Sequence, residues 1–477
     1  ALALKAIAGR CGARCYCRQR LRPQAPIAPQ PRPSTLAGTS PTTSATATHL
    51  SPTPAVTDAG MHYYLKLPVP GRVQLMELLA PNPPAALHAC VSSLAGLRED
   101  MRLRLKDFDY DSASGIGAVI QAVEAYLYKL NGLIEHHRSG GHEAEFAAIP
   151  EFSWRSALGQ SSGARRLGEM ARRGIPGLKA GPAQAGSDLC GGRSLYLEQG
   201  FVLLALGVAK SISAYARVRP LDGELEASMG SVLGGAAPGR EGEDADRSRR
   251  ASLSSKEFAA AAGVFEHIRT CVLPLVAEDL GRAGMAAATA VDLTSDAQLM
   301  LESLALADAT WLSVSMGVRS GGFKRMVLAR LLLHASEQYG RALSTLAALP
   351  RGESRQVADG VRRYIKDGRQ VVYAQALVQL AMAYHEERRY GLAVGFGREA
   401  QRLLEETVNK DRSVHQQTAK SLLANIVREL VASYTQSNDL IGLEPVPDRA
   451  ELQALVPAGR ALIAPTPYKP AVHHLAL

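Results

Sequence analysis

The stretch Tyr373 to Leu404, YAQALVQLAMAYHEERRYGLAVGFGREAQRLL, constrains the fold more than any other part of the chain. Two helical patterns flank a short polar break, Glu386-Glu387-Arg388-Arg389. The first presents Leu377, Leu380, Ala381 and Tyr384; the second presents Tyr390, Ala393, Phe396, Ala400 and Leu403. Steps of three and four residues place each apolar set on one helical face. Small Ala opposite bulky Leu and Tyr lets two antiparallel helices come close. The spacing follows the tetratricopeptide hairpin, although Gly397 stands where that pattern calls for an aromatic. No fixed-period copies occur elsewhere, so the hairpin reads as a brace in one larger scaffold, with the binding contact made away from it. Hairpins of this kind build binding surfaces and rarely carry chemistry.

Composition agrees with an all-α architecture: the chain is Ala- and Leu-rich, only 5% aromatic, and has no strand-like runs of Val, Ile and Thr. Its 477 residues leave room for one large domain or several ordinary ones. The formal charge of +9 would suggest an acidic partner if it were spread evenly. It is not. Residues 1–60 hold Lys5, Arg10, Arg14, Arg18, Arg20, Arg22 and Arg32 against Asp58 alone, so the rest is nearly balanced and nucleic acid is not expected as a partner. Cys11, Cys15 and Cys17 cluster near the start, while Cys90, Cys190 and Cys271 are scattered. Without a nearby His this set reads as lone thiols in a reducing compartment. The longest apolar run, Phe201 to Ala209, is far short of a membrane span, and the chain is expected to be soluble.

Residues 1–60 are rich in Ala, Arg, Ser, Thr and Pro and cannot bury a core. Their acid-poor, Arg-rich start resembles an organellar transit peptide; the competing reading takes Met61 as the true initiator. Met61 to Val73 is expected to be extended. Helical patterns follow at about 84–106, 113–137, 194–217, 255–282, 294–317, 323–348, 354–386, 390–408 and 411–436, before a Pro-rich extended end. Two low-complexity insertions, 159–192 and 221–254, lack helical periodicity and are expected to be surface loops.

Three motifs suggest chemistry. Gly159-Gln160-Ser161-Ser162-Gly163 has the G-x-S-x-G form of a nucleophile elbow, but the strand–turn–helix setting that strains the serine is not expected around it. His136, His137, His142, Glu143 and Glu145 are the densest set of possible metal ligands; at the end of a helix they read better as a solvated terminus. Arg249-Arg250-Ala251-Ser252-Leu253 fits a basophilic kinase site in an expected loop, with Ser252 as acceptor. Neither a triad, a paired-carboxylate site nor a phosphate-binding loop emerges, so no catalytic, cofactor or metal residues are assigned.

Several segments, taken in order, resemble the BRO-one domain, the boomerang-shaped helical scaffold of Alix-like and Brox-like endosomal-sorting proteins. Glu151 to Leu158 resembles the family's F-x-W-x-x-x-L segment, and Ala261-Ala262-Gly263-Val264-Phe265, continuing to Leu273-Pro274, is similar to its AAGxF…LP helix. Leu306-Ala307-Asp308-Ala309 stands where the family has L-A-x-A, followed here by Thr310-Trp311 in place of Gln-Glu. Asn438-Asp439-Leu440-Ile441 with Pro445-Val446-Pro447-Asp448 resembles its terminal NDxIYxxxVPD motif, with Gly442 replacing the aromatic. The resemblance covers roughly Met61 to Pro467 and leaves no room for the coiled domain of Alix, which implies a single-domain, Brox-like form. The last residues, His474-Leu475-Ala476-Leu477, offer no prenylation signal.

What this resemblance implies is a non-catalytic adaptor, cytoplasmic and peripheral to endosomes, recruited through partners and active in multivesicular body formation or membrane remodelling. Its partner would be the C-terminal amphipathic helix of an ESCRT-III subunit, held by a concave apolar patch; no cofactor or small-molecule substrate is implied. The family's patch falls on Val327, Leu328 and Leu331, with Leu312 a further candidate; all four must be exposed to serve. If instead they are core leucines, the patch lies elsewhere. The alternative is a tetratricopeptide-like scaffold for an unrelated peptide, organellar if residues 1–60 are a transit peptide.

Overall fold

The computed structural model describes residues 65–110, 115–139, 145–159, 189–218, 241–282, 291–319, 323–354, 356–408 and 414–471. Val56–Leu477 form one compact unit. The early cysteines, the Ser161 motif, His142 and Glu143, and the interiors of both expected insertions lie outside the described residues.

Among the described residues the chain is overwhelmingly helical: α1 Ala85–Lys106, α2 Ile116–Arg138, α3 Leu195–Val218, α4 Glu241–His267, α5 Leu273–Arg282, α6 Ser295–Arg319, α7 Arg325–Ala348, the single turn α8 Arg351–Ser354, α9 Asp359–Glu386, α10 Tyr390–Val408, α11 Val414–Ser437 and α12 Arg449–Leu455. Successive long helices pack on one another, from α1 on α2 through α6 on α7 and α9 on α10 to α10 on α11. Local signals place several starts. The Ser194 hydroxyl accepts from Leu197 N at the head of α3, and Thr294 Oγ1 accepts from Ala297 N at the head of α6. Asp448 and Glu451 form a reciprocal capping box on α12.

Three departures from the sequence expectation stand out. A small antiparallel sheet, β1 Val69–Pro70, β2 Phe152–Arg155 and β3 Leu189–Gly192, pairs Phe152 with Gly192 and Val69 with Arg155. Its β3 edge lies inside one of the stretches expected to be loop. Helix α4 begins at Glu241, so residues 241–254 of the second expected loop are helical, and pairs such as Arg250–Asp246 at 2.7 Å support that polar stretch. Finally, α12 interrupts the extended end. Helix α3 is long and apolar enough to cross a membrane by composition, but 83% of its most apolar window is buried. It is the central core helix of this unit.

Two buried carboxylates tie the helices together. Glu198, on α3 and fully buried, accepts from Arg98 Nε at 2.8 Å, Trp154 Nε1 at 2.6 Å and Tyr126 OH at 3.0 Å. Arg98 also donates to the Gly71 carbonyl, so α1, α2, α3, β2 and the start of the unit meet at one point. This gives the F-x-W segment its role: Trp154 stacks on Phe201 with its centroid 5.3 Å away and brings its indole N–H to Glu198. Asp308, inside the L-A-x-A segment, is surrounded instead by hydroxyls from Tyr215, Tyr339 and Tyr364, which join α3, α6, α7 and α9. Burial, with the Asp308 charge alongside, pushes all three phenols well above their ordinary pKa, so they remain donors.

The hairpin is α9 and α10, closed by a turn in which Arg388 takes a left-handed φ of 61°. Tyr384 and Phe396 stack across it at 5.5 Å, and Ala374, Ala381, Ala393 and Ala400 are fully buried at the helix contacts. Gly397 is explained by its neighbour: Val431 of α11 comes within 2.9 Å of where a Cβ would sit, so an aromatic there would force α11 away. The AAGxF segment has a similar cause. The backbone carbonyl of Thr466 lies against Gly263, while Thr466 N donates to the Ala259 carbonyl at 2.9 Å. A C-terminal strap therefore crosses α4 at a point only glycine permits.

Candidate functional site

Helix α7 was expected to present the binding patch. Its residues Leu328 and Leu331 are 1% and 2% exposed, and Leu312 on α6 is equally sealed. These three are core, which corrects the expectation that they face a partner. The reason is that α7 is covered on both flanks, by α6 and by α9, so its apolar spacing marks a packed stripe. Val327 is only partly buried and packs at the margin of the same core. Trp311, beside Leu312, turns its indole to Gln375 of α9 at 3.0 Å, so the departure from the family's Gln-Glu adds a bridge between helices.

An open cleft of about 600 Å³ lies along the other side of α7. Leu333, Ser336, Glu337, Gly340, Leu343 and Ser344 line it from α7; Lys366, Arg369, Gln370 and Tyr373 from α9; Leu403 from α10; and Val456 with Pro457 from the strap. Leu331 and Gly340 are nine residues apart, which places them about 180° apart around the helix. The stretch from Leu333 to Ser344 runs roughly 16 Å along α7, enough to lie beside about three turns of a partner helix.

Packing shapes the cleft. Gly340 leaves the Arg369 guanidinium 3.4 Å from its would-be Cβ, and Ser336 Oγ donates to the Arg369 carbonyl at 3.2 Å. Small residues on α7 thus let α9 approach while its long cations remain at the rim. Lys366, Arg369 and Tyr373 share one face of α9, and Lys366 and Arg369 are exposed. Among the described residues neither cation enters an ion pair. Burial raises the pKa of the Tyr373 phenol, with Glu399 adding to the effect. The cleft therefore has an apolar floor and a cationic wall on α9, with the single carboxylate Glu337 on the α7 side turned toward His334 and the strap. The strap closes its other side: Gly459 N meets Glu337 Oε1 at 3.3 Å, Arg330 Nε donates to the Ala458 carbonyl at 3.1 Å, and Arg460 N to the Arg330 carbonyl at 2.9 Å. Chemically, such a groove suits an amphipathic segment carrying acidic residues beside its apolar ones.

The other candidates sit apart. His136 Nε2 lies 2.8 Å from Glu145 Oε2, and the His137 ring packs edge-on against Phe146, so these side chains already have protein partners. Ser252 is exposed, but on α4 and not in a loop; a phosphate there would act on a helix. Sequence reasoning missed Lys366, Arg369 and Leu343 and set the hairpin aside, although Tyr373 and Leu403 bring it directly into the cleft. The 3- and 4-residue spacing of Lys366, Arg369 and Tyr373 was the available signal.

A family profile described as a BRO1-like domain matches residues 230–474. Solved structures extend the likeness over most of the unit. The ALIX BRO1 domain in complex with CHMP4C superposes with a TM-score of 0.61 at 16% identity, covering 86% of this chain and 96% of that one. ALIX bound to the SIVmac239 PYKEVTEDL late domain gives 0.59 at 16% identity over 85% of this chain and 49% of that longer one. A structure of the Bro1 domain described for endosomal targeting gives 0.57 at 13% identity, over 85% and 92%.

Proposed function

The chain belongs to the BRO1-like domain family, and from that premise we propose that it is a non-catalytic adaptor whose α7–α9 cleft takes up an amphipathic helix of an ESCRT-III filament subunit. The observation that carries this reading is the pairing of an apolar floor, Leu343, Tyr373 and Leu403, with the unpaired cations Lys366 and Arg369. Helix-in-groove binding needs apolar side chains within reach of solvent, and the partly buried floor meets that need where Leu312, Leu328 and Leu331 do not. The ALIX BRO1 domain is seen with CHMP4C, an ESCRT-III protein, which supports that partner class for this chain. On this reading the protein works at the cytoplasmic face of endosomes, brought there by its partners.

A second reading keeps the cleft and changes the ligand. Because the tetratricopeptide-like hairpin supplies Tyr373 and Leu403, the groove is also suited to an acidic peptide of another origin. Pulldown against a panel of ESCRT-III C-terminal helices separates the two. Capture of one or more by wild type, and loss of capture in Leu343→Asp at an unchanged melting temperature, supports the ESCRT-III reading. Should the whole panel fail to bind, that reading falls. Should Val327→Asp abolish capture while Leu343→Asp does not, the partner class stands and the site moves to the α7 margin.

A further inference from the structure

The most exposed large apolar side chains among the described residues are neighbours in one loop: Leu440, Ile441 and Leu443, at 73%, 70% and 78%. Exposed single leucines are ordinary, but three on one rigid turn are not. The turn follows α11 as a short π-helical segment, Asn438–Gly442, and Asn438 brackets it. The buried Asn438 side chain donates to the Glu444 carbonyl at 2.9 Å and accepts from Glu444 N at 3.1 Å, while Leu443 N donates to the Asn438 carbonyl at 2.7 Å. Glu444 then anchors the turn to the head of α10 by accepting from Gly391 N at 2.8 Å. Leu443 is held at a left-handed φ of 49°, a conformation leucine rarely adopts. These bonds hold the apolar side chains in solvent when a relaxed turn could fold them back.

We propose that this turn is a second docking surface, distinct from the α7–α9 cleft, for a basic amphipathic helix of another protein. An apolar cleft of about 490 Å³ continues from it, lined by Leu392, Pro445, Pro447 and Leu455. Charge selects the occupant. Asp439 lies in the turn itself, and the cleft is lined by the carboxylates Glu444 and Glu451 against Arg389. The rim is net acidic, so it attracts cationic side chains and repels an anionic lipid surface. The apolar tip supplies area and the rim supplies selectivity, an arrangement already ordered before the partner arrives.

The test uses the full chain and two designed helical peptides with one Leu face, one bearing Lys and the other Glu on the opposite face. Fluorescence anisotropy should show Leu440→Ser/Ile441→Ser weakening the Lys peptide by about ten-fold, as loss of apolar anchors does, and leaving unchanged its Glu twin, which the α7–α9 cleft takes instead. The melting temperature should not change, because these side chains are exposed. Asp439→Asn should weaken binding by a smaller factor, and Glu135→Gln, exposed on α2 and in neither cleft, should leave it unaltered. Equal loss of both peptides in the double variant, or no effect of that variant on the Lys peptide, overturns the proposal. Sedimentation with phosphatidylserine vesicles in place of peptide binding would assign the tip to membrane instead. A dimer lost in the double variant would assign it to a second copy of the chain.

Discussion

Along one side of α7, Leu328, Leu331, Ala335 and Ala342 are shut inside the core; along the other, the half-buried Gly340 and Leu343 border an open cleft with Lys366 and Arg369 across it. Both sides have apolar residues at helical spacing. What separates them is the facing surface. The closed side meets other apolar stripes and the Asp308 hub, reached by Tyr339 from the same helix. On the open side, two long cations keep their heads in water and hold the groove from collapsing. Periodicity tells which residues share a face, and the opposing residues decide whether that face is core or binding surface.

The largest effect should come from charging the closed side. Leu331→Asp buries an unpaired carboxylate and should cost roughly 4 kcal/mol or more, collapsing the thermal melt. A variant that still melts cooperatively near the wild-type temperature would break the contrast. Removing one donor from the hub is milder: Tyr339→Phe should cost about 1–2 kcal/mol in a denaturant titration. The same hub sets an alkaline limit. Its phenols have folded pKa values raised above the unfolded value near 10. Their stabilising contribution is therefore complete below about pH 10 and is lost as pH rises through the folded values. Melting temperature should fall more steeply above that point in wild type than in Tyr339→Phe.

Charging the open side should leave the fold alone. Leu343→Asp is expected to change stability by less than about 1–2 kcal/mol while weakening helix binding more than about ten-fold. The smallest effect belongs to Lys366→Ala, about two- to three-fold in affinity, together with a shallower salt dependence in the same titration.

Much of this architecture is written in short-range pattern. The long helices follow apolar periodicity, most within a few residues of their observed ends, because each buries a stripe against the next helix, whereas α4 and α5 read as one helix from 255 to 282 and the single turn α8 carried no signal. Helix α4 also starts early because charge pairs and not an apolar face support its first turns. Strand β1 has two residues and β3 ends in Gly191-Gly192, so neither carries a β signature; both exist because β2 pairs with them. The Asp448…Glu451 capping box is a signal for α12 that the Pro-rich, extended reading of this end passed over. The cleft was the hardest to read. Leu343, Arg369 and Leu403 are far apart in sequence and meet only after α7, α9 and α10 pack, while Leu328 and Leu331 came from the family resemblance, and their helical spacing does not distinguish a patch from a core stripe.

The central claim is that the cationic wall of the α7–α9 cleft contacts the partner helix, and a charge-swap cycle tests it most directly. An ESCRT-III C-terminal helix that binds wild type is titrated calorimetrically into Arg369→Glu, first as its native acidic sequence and then with one acidic residue changed to Lys. The account predicts that Arg369→Glu weakens the native peptide by about ten-fold or more and that one Lys-substituted peptide recovers most of that loss on the variant alone. Unchanged affinity in Arg369→Glu, or a Lys peptide no better on the variant than on wild type, would contradict it.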